Sequence, residues 1–177
     1  SGITFDPRAL GLAEGAPTAL VMERQRYYQV IDVQSLSAQP RQIISNYPCC
    51  YAMGVAWDGN SPIGTRFLLA ANNGAGMVSS GFYNQVSSSG RYGVYFEQTT
   101  QQFFLPDAAN GGLRYGTLNG SLTGTLLLPE VGPVGSHSGN GAPMLLVAGT
   151  NRGLQVVDLL GYQLVGTLGT ARNRVCA

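Results

Sequence analysis

The residues best suited to bind a ligand gather in one aromatic cluster between positions 47 and 58. Aromatic rings beside a carboxylate form the platforms that bind carbohydrates and the hot spots of protein interfaces. The candidate binding residues are Tyr47, Tyr51, Trp57 and Asp58. An alternative reading is a single strand with Tyr51, Met53, Val55 and Trp57 on one face, which would make the rings core residues.

Catalytic chemistry has little support. The only histidine, His137, lies in Gly-Ser-His-Ser-Gly, whereas a nucleophile elbow needs serine at the centre of Gly-x-Ser-x-Gly. We expect this glycine and serine stretch to be a loop, which would hold a catalytic side chain too loosely. Asp32 and Asp158 occupy equivalent positions of an internal repeat, which favours turn capping over acid–base work. The sequence predicts no enzyme and no catalytic residue.

Cofactor motifs are also missing from the sequence. The chain has no lysine, so it can form neither a Walker A loop nor a Schiff base. Gly74-Ala75-Gly76 lacks the third glycine of a dinucleotide fingerprint. One histidine and a cysteine pair do not make a zinc site, and no calcium loop of the EF-hand type is present. We predict no cofactor and no metal.

Three cysteines, Cys49, Cys50 and Cys176, leave the disulfide question open. Cys49 and Cys50 could form a strained vicinal bridge, or Cys176 could bridge to one of them and tie down the C-terminus. The remaining alternative is three reduced thiols.

The composition points to contacts with other proteins. Charged residues make up 11% of the chain, against about 25% in typical domains, and the net charge is +1. Low charge weakens the repulsion that keeps monomers apart, and arginine suits interfaces better than lysine because its planar guanidinium is weakly hydrated. A coding bias would also replace lysine with arginine. We predict a homo-oligomer or a complex with a partner protein.

Two other partners are disfavoured. The ten arginines stand singly or in pairs, such as Arg24 with Arg26, so no basic stripe for nucleic acid is visible. The longest apolar runs have the length of strands, which predicts no membrane span. The sequence start, Ser1-Gly2, does not distinguish a processed chain from one that lost its initiator methionine. The predicted location is extracellular or virion-associated.

Strand patterns and turn signals run through the whole sequence. Apolar stretches of strand length alternate with Asn-Gly dipeptides at positions 73, 110, 119 and 140 and with Asp58-Gly59. These dipeptides accept the positive φ that two-residue hairpins require. The sequence therefore predicts a single all-β domain over residues 1–177, built as an antiparallel meander.

An internal repeat joins the two ends of the chain. Residues 16–33 align without gaps on residues 142–159, and both copies read as apolar strand, polar turn and apolar strand ending in Asp32 or Asp158. The repeat-like units extend over about 16–44 and 142–168. Their spacing of 126 residues is three times 42, and a four-stranded propeller blade has about 40–45 residues.

The segment Leu145 to Leu168, LLVAGTNRGLQVVDLLGYQLVGTL, resembles a blade of the YVTN and WD40-like β-propeller repeats. Ile3-Thr4-Phe5-Asp6-Pro7 is similar to the Phe-x-Pro-Asp-Gly start of such a blade, without its closing turn. The resemblance implies small propeller-like repeats. A β-sandwich or jelly roll is the alternative fold, since apolar strand–turn–strand units build those as well.

The predicted function is that of a non-enzymatic structural or binding β-domain acting through protein–protein contacts. A subunit of an ordered assembly, such as a virion or tail component or an extracellular filament or adhesin, fits the composition. One alternative is a monomeric module that binds carbohydrate or protein through the aromatic cluster. The other is a hydrolase on a propeller or sandwich scaffold.

Overall fold

The computed structural model describes residues 3–5, 18–22, 26–32, 35–47, 52–57, 61, 64–88, 90, 92–117, 121–139, 142–149 and 153–169. The described strands form four antiparallel sheets, which we call sheets A to D in chain order. The predicted all-β class and antiparallel pairing are confirmed. Among the described residues, no helix is long and apolar enough to cross a membrane.

Sheet A comes first in the chain and has an interrupted edge. Its strands are β1 (Ile3–Phe5), β2 (Thr18–Met22), β3 (Tyr27–Asp32), β4 (Ser37–Ala38) and β5 (Gln42–Ile43). The order is β1-β2-β3-β4, and β5 also pairs with β3. Because β2 occupies the other side of β3, β4 and β5 lie end to end along one edge.

Sheets B, C and D are regular four-stranded meanders whose strands follow one another in chain order. The strands of sheet B are β6 (Ala52–Trp57), β7 (Arg66–Ala71), β8 (Gly74–Ser79) and β9 (Phe82–Ser87). Those of sheet C are β10 (Tyr95–Glu97), β11 (Gln102–Asp107), β12 (Gly112–Thr117) and β13 (Leu122–Leu127). Those of sheet D are β14 (Val134–Gly139), β15 (Ala142–Ala148), β16 (Leu154–Asp158) and β17 (Gln163–Leu168).

Two of the predicted Asn-Gly turns differ in detail from a two-residue Asn-Gly hairpin. Ala71 pairs with Gly74, so the hairpin loop is Asn72-Asn73 and Gly74 already belongs to β8. Residues 108–111 connect β11 to β12 through a short 3-10 helix that ends at Gly111 with φ 63°. Gly111 therefore supplies the left-handed conformation at the end of a longer loop.

The internal repeat has the same strand register in both copies. Leu20 pairs with Val30 in sheet A, and their counterparts Leu146 and Val156 pair in sheet D. The same holds for every pair of the two hairpins, from the Thr18–Asp32 pair to the Met22–Tyr28 pair. Equivalent positions of the repeat therefore occupy equivalent places in sheets A and D.

The core consists of three apolar layers, each between sheets that are consecutive in the chain. Sheets A and B enclose the first layer, in which Tyr28 meets Phe67 edge to face at 5.1 Å between ring centroids. Phe103 belongs to the layer between B and C, and Phe104 belongs to the layer between C and D. Sheets B and C are thus buried on both faces, whereas A and D each turn one face outward.

Candidate binding surfaces

The aromatic cluster singled out from the sequence is partly inside the fold. Trp57 is 4% exposed on β6, and its indole N–H donates to the carbonyl of Ser61 at 2.8 Å. Tyr47 is partly buried and packs edge to face on Tyr83, with ring centroids 5.9 Å apart. Tyr51 and Asp58 lie outside the described residues. A ligand site at these four residues stays a prediction. The burial of Val55 and Trp57 is what the core-packing alternative expects, whereas Met53, which it also placed in the core, is 45% exposed.

The other candidate residues give no assembled centre. His137 lies in strand β14, paired with Met144, and not in the loop expected from its glycine and serine neighbours. Strand pairing overrides their low β propensity here. Cys49, Cys50 and Cys176, and any bridge between them, lie outside the described residues. Within the described part of the chain, no three His, Cys, Asp or Glu side chains lie close enough together to hold a metal ion.

The described carboxylates mostly cap turns. Asp32 accepts the backbone N–H of Ser35 at 3.1 Å, and Asp158 accepts that of Leu160 at 2.9 Å. The turn-capping role predicted for this repeated pair is confirmed. Asp107, which is buried, accepts the N–H of Ala109 at 3.0 Å and lies 3.5 Å from the Arg114 guanidinium. These side chains hold hairpin connections in place.

Glu97 caps the turn between β10 and β11. Its carboxylate accepts the backbone N–H groups of Thr99 at 2.9 Å and Thr100 at 2.5 Å, together with the Thr100 hydroxyl at 2.8 Å. Burial raises the pKa of the Glu97 carboxyl, but these hydrogen bonds favour the charged form more strongly, so the pKa lies below its ordinary value. Glu97 is therefore an ionised structural anchor.

Tyrosine hydroxyls inside the first core layer fall into two kinds. The Tyr28 hydroxyl lies 2.6 Å from Gln42 Oε1 and 3.0 Å from the carbonyl of Gly64. The Tyr83 hydroxyl is buried and has no hydrogen-bond partner among the described residues. Burial raises the pKa of both phenols, and the neighbouring Tyr47 raises that of Tyr83 further. At neutral pH both remain protonated.

The outward faces of the two end sheets are surfaces on which a partner could pack. The outward face of sheet D is partly accessible and mostly apolar: it carries Met144, Leu146, Ala148, Leu154, Val156 and Leu168, with Asp158 and Gln163 at one end. Leu168 alone is 59% exposed. No sequence motif singles out this surface. The repeated strands do, however, carry apolar residues on both of their sides, which is typical of a sheet that is buried on both faces.

The outward face of sheet A has the same character. It is defined by Val21, Tyr27, Gln29, Ile31 and Ile43, and Ile43 is 51% exposed. The Arg41 guanidinium lies 5.2 Å from the centroid of the Tyr27 ring. Within the described residues, no hydrophobic cluster joins sheet A to sheet D. Each end sheet therefore has an apolar face that its own chain leaves partly uncovered.

A comparison of this chain with models of known protein families and with curated protein sequences finds no match.

Proposed function

We propose that this chain is a non-enzymatic structural or binding β-domain that works through protein–protein contacts as a subunit of an ordered assembly. The observation that carries the proposal is the pair of apolar outward faces on sheets A and D. Apolar faces that stay in water are costly, at about 25 cal/mol per Å² of exposed surface. Apolar patches that a chain leaves accessible mark interaction sites.

The composition supports the same function. With 11% charged residues and a net charge of +1, the chain has little electrostatic repulsion to keep copies apart. An extracellular or virion-associated assembly, such as a tail, filament or adhesin, would use a polar but weakly charged surface of this kind.

For the fold, we propose a propeller-like arrangement of the four sheets. The first strands of successive sheets contact one another, β1 with β6, β6 with β10 and β10 with β14. Neighbouring blades of a propeller meet in this way around a common axis. A two-layer sandwich has a single face-to-face core, whereas this chain has three such layers in succession. Both features favour the propeller-like alternative.

The native mass in solution tests the proposed function. We expect light scattering behind a sizing column to give a mass above the 18.6 kDa of one chain, rising with protein concentration. A clean monomer at every concentration would contradict self-assembly. In that case glycans and unrelated proteins become the ligands to screen.

A further inference from the structure

The outward face of sheet D repeats a face that is buried elsewhere in the same chain. In sheet A, the repeat counterparts of Leu146, Ala148, Leu154 and Val156 are Leu20, Met22, Tyr28 and Val30. Those four side chains are buried against sheet B. The outward face of sheet D therefore has the sequence pattern of a face that is covered by the next sheet of the stack.

The outward face of sheet A shows the reverse relation. Its members Val21, Gln29 and Ile31 have the counterparts Val147, Gln155 and Val157, which are fully buried on the side of sheet D that faces sheet C. Gln29 and Gln155 are the same residue, and Gln155 uses its buried amide to bind the backbone of Glu130. The outward face of sheet A therefore has the pattern of a face that is covered by the preceding sheet.

Together these relations specify a contact between two chains. A sheet that follows sheet D would cover the outward face of D, and a sheet that precedes sheet A would cover the outward face of A. We propose, building on the proposed function, that the outward face of sheet D of one chain packs on the outward face of sheet A of a second copy. This head-to-tail contact continues the order of sheets found within one chain.

The size of the contact favours a closed pair. The four strands of sheet D have five to seven residues and present a face of roughly 400 Å², whereas the shorter strands of sheet A present roughly 300 Å², from about 4.8 Å between strands and 3.3 Å per residue. A stable interface buries about 800 Å² on each partner, so one such face is too small. Two chains related by a two-fold axis bury both outward faces of each chain. Their eight sheets then form a ring at the upper end of the propeller range of four to eight blades.

Two glycines of sheet D make the contact testable without disturbing the fold. Gly135 and Gly166 pair with Leu146 and Val156, so they lie on the outward face. A Cβ at either position meets no described atom within 4 Å. The substitution Gly166→Arg therefore places a long charged side chain on the outward face, and its Cβ meets no atom of the described residues. Thr167→Arg, on the opposite side of the same strand, is the matched control.

Sheet A offers the complementary variant. Ile43→Arg puts a charge on its outward face, and Ser37→Arg places the same charge at an exposed position of β4 as the control. We expect sedimentation velocity to give a wild-type mass of two chains and a monomer for each face variant at the same concentration. Both control variants keep the mass of two chains. Circular dichroism checks that all four variants are folded.

A mixture of the two face variants tests the head-to-tail order. The Gly166→Arg chain retains an intact sheet A face, and the Ile43→Arg chain retains an intact sheet D face. We expect the mixture to associate at high concentration when neither variant does so alone, because one of the two contacts is restored. Loss of association in Gly166→Arg but not in Ile43→Arg would overturn the proposal in favour of a D-to-D contact.

The results of these experiments distinguish failure of the proposed head-to-tail contact from failure of the proposed assembly function. An assembled wild type whose mass is unchanged in both face variants contradicts only the head-to-tail contact. A wild-type chain that is monomeric at every concentration contradicts the proposed assembly function itself.

Discussion

At the scale of single residues, Tyr83 has a hydroxyl that the fold buries without a hydrogen-bond partner among the described residues. A buried polar group in that state costs about 1–3 kcal/mol. We expect Tyr83→Phe to raise the free energy of unfolding by about 1 kcal/mol, since the ring contact with Tyr47 is retained. Tyr28→Phe is the control and should lower it by about 1 kcal/mol, because the Tyr28 hydroxyl is hydrogen-bonded. Urea unfolding measures both, and a destabilised Tyr83→Phe would refute this reading.

Tyr83 also makes the free energy of unfolding depend on pH in the alkaline range. Burial raises the pKa of Tyr83, so ionisation of this phenol opposes folding: it has no effect well below the ordinary tyrosine pKa of 10.0 and lowers the free energy of unfolding as the pH rises above that value. We expect the stability of the wild-type chain to fall more steeply above pH 10 than that of Tyr83→Phe. Equal slopes in alkaline unfolding curves would argue against a buried phenol.

Glu97 makes the free energy of unfolding depend on pH in the acid range. Its pKa is lowered in the folded state, so its stabilising contribution is present above the ordinary glutamate pKa and is lost as the pH falls through the lowered value. We expect Glu97→Gln to lower the free energy of unfolding by about 1–2 kcal/mol at pH 7. The carboxylate accepts the Thr99 and Thr100 N–H groups on two oxygens, whereas an amide has only one. The difference from wild type should shrink in acid. A pH-independent difference would show that the charge is not what matters.

At the scale of elements, the buried Gln155 amide ties the segment before sheet D to strand β16. Its Nε2 donates to the Glu130 carbonyl at 2.8 Å, and its Oε1 accepts the Glu130 N–H at 3.3 Å. We expect Gln155→Leu to lower the free energy of unfolding by about 2–3 kcal/mol, because two buried backbone groups lose their partner. Gln98→Leu, at an exposed turn position, is the control. Equal effects of the two substitutions in urea unfolding would contradict the tie.

The elements also show what sequence patterns can predict. Hairpins β2–β3 and β15–β16 are predictable because a polar stretch separates two apolar stretches in both copies of the sequence repeat. Strand β7 reads as a continuous apolar run because sheet B is buried on both faces. Strand β14, VGSHSG, was predicted as a loop because its glycines and serines have no strand pattern, and its pairing with β15 is decided by tertiary structure.

For the candidate site, the sequence points to aromatic residues, and a ligand site at those residues stays a prediction. Residue types single out aromatic side chains such as Trp57, yet the structure buries that ring. The outward faces consist mostly of ordinary aliphatic residues, with Tyr27 and Gln29 on sheet A, and they become distinctive only when the repeat is compared with the packing of each sheet. Which face is covered follows from the position of a sheet in the stack and not from its own sequence.

At the scale of the whole molecule, an apolar contact between end sheets predicts how association responds to salts. Sodium chloride screens charge pairs with a Debye length of about 10 Å at 0.1 M but hardly affects apolar contacts. Sulfate strengthens apolar burial because it is excluded from protein surfaces. We expect the association constant to be nearly constant in sodium chloride and to rise in ammonium sulfate, as measured by sedimentation velocity. Dissociation by sodium chloride would indicate an ionic interface instead.

Hydroxyl-radical footprinting tests most directly whether another molecule covers the outward faces of sheets A and D. Ile43 and Leu168 report on the two faces, while Leu36 and Leu127, which are 82% and 73% exposed, lie away from them as internal controls. If a second molecule covers both faces, the oxidation of Ile43 and Leu168 falls as the protein concentration rises, and the oxidation of Leu36 and Leu127 stays unchanged. Oxidation of all four residues that stays constant from dilute to concentrated protein would contradict the account.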